Sequence, residues 1–199
     1  MYKVGITGGI GSGKSTVSAI LEDMGVALYN SDVRAKELMA TDAALREAII
    51  ECFGAECYTA EGLNRGYLAS RVFGSAEELA ALNAIVHPAV MADFQAWAER
   101  AEGDYVIFES AILFEAGLEG SVDSTVVVMA PEELRIERAM ACDGATREQV
   151  LARIKNQMSD DERTDRAKYA IVNIDIDDLR EDVEQLPRRL CYDSRANKH

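Results

Sequence analysis

Histidine, cysteine and proline are scarce: 199 residues contain two, four and three of them. The cysteines, Cys52, Cys57, Cys142 and Cys191, form no C-x-x-C pair, and His87 and His199 are the only imidazoles beside them. The expected state is reduced thiols in a cytosolic protein, not a disulfide or metal framework. Basic residues are also in deficit, 21 Lys and Arg against 35 Asp and Glu, for a net charge of −14. A nucleic-acid binder needs a basic footprint to displace phosphate counterions, so nucleic acid is not an expected partner. Short basic clusters such as Arg188–Arg189 are isolated. A local basic pocket inside an acidic protein is all that a nucleotide site needs. No apolar run is long enough to span a bilayer, and Met1–Ile6 leads directly into a strand pattern with no signal-peptide layout. The expectation is a cytoplasmic protein without membrane contact.

What is present suits a folded enzyme. An apolar fraction of 48% supplies one sizeable α/β core, alone or with a small insertion. Tyr2–Thr7 reads as a buried strand, Gly8–Gly13 as a turn, and Lys14–Met24 as a helix with Val17, Ile20, Leu21 and Met24 on one face. Val26–Tyr29 reads as a second strand and Val33–Met39 as a helix. From Asp42 to Ala101 the spacing is almost wholly helical, with no convincing strand and with His87-Pro88 joining two helical stretches. Strands follow at Tyr105–Phe108 and Ser124–Met129. Pro131 opens a helix that breaks at Cys142–Ala145, and Thr146 caps the next, to Gln157. A charged segment Ser159–Lys168, a last strand Ala170–Asn173 and a helix Ile176–Leu190 complete the pattern, with a polar, frayed tail.

The residues Gly8-Gly9-Ile10-Gly11-Ser12-Gly13-Lys14-Ser15-Thr16 match G-x-x-x-x-G-K-S/T between a strand and a helix. Glycines let the backbone turn tightly, and successive N–H groups with the helix N-terminus form a nest for anionic oxygens. Lys14 brings a mobile positive charge to the β- and γ-phosphates, and the Ser15 hydroxyl suits Mg²⁺. The dinucleotide pattern G-x-G-x-x-G fails, because its last glycine would fall at Lys14. Asp32, after the second strand, belongs to the same carboxyl edge of a parallel sheet. It can take a proton from an attacking hydroxyl or help hold magnesium, or it can cap the helix that starts at Val33. Glu109 and Glu115 are further acids at or beyond a strand end. Arg135, Arg138 and Arg153 lie on the interrupted helical pair, which has the layout of a hinged lid that can bring charge to a transferring phosphoryl group. Spacing alone does not make His87 a site residue.

Taken in order, these motifs resemble the dephospho-coenzyme A kinase family nearly end to end. The resemblance rests on the P-loop run Gly5–Val17, on Asp32, and on Phe53-Gly54, Glu61-Gly62-Leu63-Asn64-Arg65 and Val72-Phe73. It rests further on Leu82–Pro88 with its His-Pro, on Leu113-Phe114-Glu115-Ala116-Gly117-Leu118, and on Arg138, Gln157 and Asn173. It implies transfer of a phosphoryl group from ATP, with Mg²⁺, to the ribose 3′-hydroxyl of dephospho-coenzyme A. Asp32 would be the base or hydroxyl-orienting group, with Lys14 and Arg138 stabilising the transferred charge. Gly9, Gly11, Ser12, Gly13, Lys14, Ser15 and Thr16 would bind the nucleotide, with Ser15 on the metal and Asn173 near adenine. Arg65, His87 and the Leu113–Glu115 segment would shape the acceptor site. The implied fold is a P-loop-type parallel sheet flanked by helices: a single domain 1–199 with core 1–39 and 102–199, a helical insertion 40–101 and a lid at about 135–165. A monomer or weak homo-oligomer is expected. The chain departs from the family pattern at Glu109 and Asn64, where aspartates are common, at Ser110-Ala111-Ile112, where a proline is frequent, at Cys142, where a second lid arginine is common, and at Lys168, where aspartate is common. Rival readings are another small-molecule P-loop kinase, an NTP switch, which the lack of N-K-x-D disfavours, and a degenerate homologue, which the intact Gly13–Thr16 disfavours.

Overall fold

The strand β1, Tyr2–Thr7, buries Tyr2, Val4 and Ile6 on one face, the period of two that its sequence shows. It belongs to a computed structural model that describes residues 1–72 and 74–196. The chain divides into two compact units, Ser31–Trp97 and the remainder. After β1 come α1, Lys14–Asp23, and β2, Leu28–Asn30.

The second unit then opens. It holds α2 (Ser31–Thr41), α3 (Ala43–Phe53), a hairpin of β3 (Tyr58–Thr59) and β4 (Gly62–Leu63), α4 (Arg65–Val72) and α5 (Ala76–Ala98). Leu45, Ile49 and Phe53 recur every fourth residue of α3 and are buried, as are Val86, Val90 and Phe94 of α5. Arg34 of α2 forks onto Asp93 of α5 at 2.9–3.0 Å, and the Tyr58 hydroxyl donates to the Met39 carbonyl at 2.7 Å. The hairpin corrects the all-helical reading of this stretch: two residues per strand are too few to show an alternation. His87-Pro88 also lies inside one continuous helix. Pro88 removes one N–H donor there without ending α5. Phe73 lies outside the described residues.

The first unit resumes with β5 (Tyr105–Glu109), β6 (Ser124–Met129), α6 (Glu132–Asp143), α7 (Arg147–Lys155), α8 (Asp160–Arg166), β7 (Tyr169–Val172) and α9 (Ile176–Ala196). Five strands form one parallel sheet in the order β2-β5-β1-β6-β7, with helices on it: the P-loop-type α/β fold. Val17, Ile20 and Leu21 of α1 and Leu179, Val183, Leu186 and Leu190 of α9 cover the face that carries Val4, Ile6, Ile107, Val126, Val128 and Ile171. On the other face Leu113 fills the space above Gly5, where an added Cβ would lie 2.7 Å from its side chain. Because all strands run the same way, the loop after β1, the end of β5 and the turn after β7 share one edge.

Helix boundaries follow their caps. Thr146 and Ser159 each close a full capping box with Gln149 and Glu162, and Gly144 ends α6 in the left-handed region. The expected fraying after Cys191 does not start there, since α9 runs to Ala196. The last three residues lie outside the described chain.

Candidate active site

Gly8 to Thr16 wrap the entrance of α1 and, all but Ser12, line a cavity of about 590 Å³. Ala111, Arg138, Ala139, Cys142, Asp143 and Gln157 complete its wall. Gly11 and Gly13 have φ of +73° and +86°, a conformation that glycine adopts without strain. Packing adds a second reason for these glycines. A Cβ on Gly9 would lie 2.3 Å from the Arg135 guanidinium, one on Gly11 2.1 Å from the Arg135 carbonyl oxygen, and one on Gly13 1.9 Å from Asn173 Nδ2. No side chain caps α1 and no acid sits in its first turn, so the positive end of the helix faces the loop unopposed.

Lys14 Nζ lies 3.6 Å from Glu109 Oε1, and Asn30 Nδ2 donates to Glu109 Oε2 at 3.3 Å. Glu109 is buried as the last residue of β5, so the strand-end acid and the P-loop lysine form one cluster at the sheet edge. The longer side chain at this position spans the distance to the lysine.

Arg138 donates to the Asn173 carbonyl at 3.0 Å, to Asn173 Oδ1 at 3.3 Å and to the Ile174 carbonyl at 3.2 Å. Asn173 is itself buried, and its Nδ2 donates to the Ser12 carbonyl at 2.9 Å. Its amide therefore ties the P-loop to Arg138 of α6, and both ends of it are committed to protein partners.

Arg135 is buried as well. Its Nε donates to the Ile10 carbonyl at 2.9 Å and its Nη1 to Asp160 at 2.6 Å. Its guanidinium lies against Gly9 under the loop, whereas Cys142 is exposed and lines the cavity. Arg163 is fully buried between Glu115, at 2.6 Å, and Asp160, at 3.3 Å. Glu115 also accepts from the Met158 N–H at 3.3 Å, so this acid ties the turn after α7 as well as α8. Sequence reading missed Asp160 and Arg163. The signal was their i,i+3 spacing inside the charged segment Ser159–Lys168.

Other expected residues take plainer positions. Leu113 is fully buried in the packing above Gly5. Arg153 pairs with Asp143 at 2.7 Å across the α6–α7 break, on the surface. Lys168 binds Asp193 at 2.6 Å, a hydrogen bond that raises its pKa, and so tethers β7 to α9.

The second unit carries Asp32, Arg65 and His87. Since α2 begins at Ser31, Asp32 is exposed within the first helical turn and is not the cap of a helix starting at Val33. Arg65 opens α4 and is exposed. Asn64 accepts from the Tyr67 N–H at 3.1 Å, so the change from aspartate keeps the capping acceptor. His87 is half-buried, and desolvation by burial lowers its pKa.

Comparison with known proteins finds relatives both in sequence and in fold. The family model described as dephospho-CoA kinase matches residues 2–178. A dephospho-CoA kinase of Bacteroides fragilis is 45% identical over 172 residues, covering 86% of this chain and 84% of that one. One from Salinibacter ruber is 45% identical over 177 residues, covering 87% and 89%. Among solved structures, TT1252 from Thermus thermophilus superposes with a TM-score of 0.84 at 36% identity, covering 95% of this chain and 97% of that one.

Proposed function

The chain belongs to the dephospho-coenzyme A kinase family, and from that premise we propose how its own residues carry the reaction. The protein is an ATP-dependent kinase. It transfers the γ-phosphoryl group of ATP to the ribose 3′-hydroxyl of dephospho-coenzyme A, giving ADP and coenzyme A, the last step of coenzyme A biosynthesis.

One observation carries the nucleotide half: a cavity walled by the P-loop on one side and by Arg138 and Gln157 on the other. The N–H groups around Gly11–Thr16 and the open end of α1 are suited to hold phosphate oxygens. Lys14 is assigned to the transferring group, moving from Glu109 to the added negative charge. Arg138 joins it from the Asn173–Ile174 turn, where its guanidinium is already aimed by three hydrogen bonds. Asn173 serves the nucleotide through the Ser12 carbonyl and Arg138 that it holds.

Magnesium fits the donor set in one way. Among the described residues no group of three or more His, Cys, Asp or Glu could hold a metal ion. A small hard cation that keeps most of its ligands as water and phosphate oxygens needs little more than the Ser15 hydroxyl, with Glu109 near the same loop. When bound, Mg²⁺ neutralises charge on the β- and γ-phosphates.

Asp32 is assigned as the base. As the ribose oxygen bonds to the γ-phosphorus and the bond to the β–γ bridging oxygen breaks, the hydroxyl proton passes to the Asp32 carboxylate. Arg65 and His87, on a helical insertion at 40–101, are assigned to the acceptor side, as is the Leu113–Glu115 segment of the core, which the buried Leu113 anchors by packing. The segment at about 135–165 is assigned as a lid whose closure excludes water, so that the hydroxyl and not water receives the phosphoryl group. We further place the enzyme in the cytoplasm as a monomer or weak homo-oligomer. Among the described residues no helix is long and apolar enough to cross a membrane.

ADP release with Mg·ATP, measured with and without dephospho-coenzyme A, tests this reading. Release that depends on the acceptor is expected, and release indifferent to it would point to another acceptor.

A further inference from the structure

Ile10, at the apex of the P-loop, is held at three points by α6, α7 and the turn that follows α7. Its side chain packs into an apolar cluster with Ile136, Ala139, Val150 and Ile154. Its carbonyl accepts from Arg135 Nε at 2.9 Å, and its N–H donates to Gln157 Oε1 at 2.9 Å. Both polar groups of the residue are therefore bonded to side chains far along the sequence. Arg135 is in turn fixed by Asp160, and Asp160 by Arg163, so the guanidinium that holds the carbonyl has little freedom of its own. The tight approach of Arg135 to Gly9 and Gly11 leaves the loop no slack on either side of Ile10.

The donor is a backbone N–H, which settles the orientation of the Gln157 amide: oxygen to the loop, Nε2 at the other end. Gln157 also lines the phosphate-side cavity. We propose that Gln157, acting with Arg135, is a positioning residue for ATP: the two latch Ile10 so that the P-loop apex presents a fixed backbone to the phosphates. A loop held in its binding conformation loses less freedom when the ligand arrives, so the latch strengthens nucleotide binding without touching the acceptor. The inference rests on the ATP site assigned above.

Gln157→Met keeps the length of the side chain and removes the acceptor. Its dissociation constant for Mg·ATP, from calorimetric titration, is expected to rise about tenfold, the scale of one lost hydrogen bond. The KM for ATP should follow it, while the KM for dephospho-coenzyme A stays within about twofold and the melting temperature moves little. Arg135→Lys keeps the charge and loses the planar fork. Combined with Gln157→Met it should cost less than the sum of the two, because both act through the same residue. Mg·ATP affinity of Gln157→Met within about twofold of wild type would overturn the latch, as would a parallel rise in the KM of both substrates. Wild-type protein that binds no Mg·ATP would overturn the ATP site itself, a separate result.

Discussion

Lys14 Nζ and Glu109 Oε1 are 3.6 Å apart at the sheet edge, so the cation of the P-loop is balanced by a buried carboxylate that Asn30 also holds. The two ends of such a pair are not equivalent. Loss of the lysine leaves a buried negative charge beside the phosphate site, while loss of the carboxylate charge frees the lysine. Lys14→Met is therefore expected to lower kcat by about 10²–10³-fold, the scale of removing one group that stabilises developing charge, and to lower the melting temperature as well. Glu109→Gln should be the milder change in stability. Steady-state kinetics and thermal melts on the two variants check the order. A Lys14→Met variant with near-normal turnover would contradict the assignment.

Asp32→Asn removes the proton acceptor and retains the shape. Mg·ATP binding by titration should be unchanged, while transfer falls by at least about 10²-fold, the contribution of a general base. Turnover near the wild-type rate would show that Asp32 is not the base.

Asn173 joins the Ser12 carbonyl to Arg138, and it is buried. Asn173→Ala leaves the Ser12 carbonyl without this donor and takes from Arg138 one of its three acceptors, and should cost about 1–3 kcal/mol of stability, with a raised KM for ATP. Gly13→Ala should do similar damage by another route, since its Cβ would lie 1.9 Å from Asn173 Nδ2 at a φ of +86°. Chemical denaturation measures both, and a neutral Gly13→Ala would show that the loop is looser than this packing implies.

His87 has its pKa lowered by burial, so the unfolded chain binds its proton more readily than the folded one. Stability contributed by this residue is full above the unfolded value of about 6.5 and is lost as pH falls below it. His87→Gln should therefore lose less melting temperature than wild type between pH 7.5 and 5.5. Equal losses in the two proteins would contradict the burial argument.

Much of this was legible in the sequence because it is local. The β1–P-loop–α1 unit rests on alternation, glycine spacing and helical periodicity within some twenty residues, and Ser124–Met129 is the structure's β6 to the residue. The Thr146 cap was readable for the same reason. What stayed hidden depends on distance or on brevity. The bond between Ile10 and Gln157 joins positions 147 apart, and nothing periodic announces it. Arg135 looked like a free lid cation until its place under the loop was known. The β3–β4 hairpin is too short to alternate, and the packed face of α5 outweighs the interruption that Pro88 suggests.

The most direct test is to identify the product formed from Mg·ATP and dephospho-coenzyme A by mass spectrometry and phosphorus NMR, with wild type and Asp32→Asn side by side. The account predicts acceptor-dependent ADP and a product heavier by one phosphoryl group, carried on the ribose 3′-oxygen, from the wild type. It predicts almost none from the variant. ADP release indifferent to the acceptor, or equal product from both proteins, would contradict it.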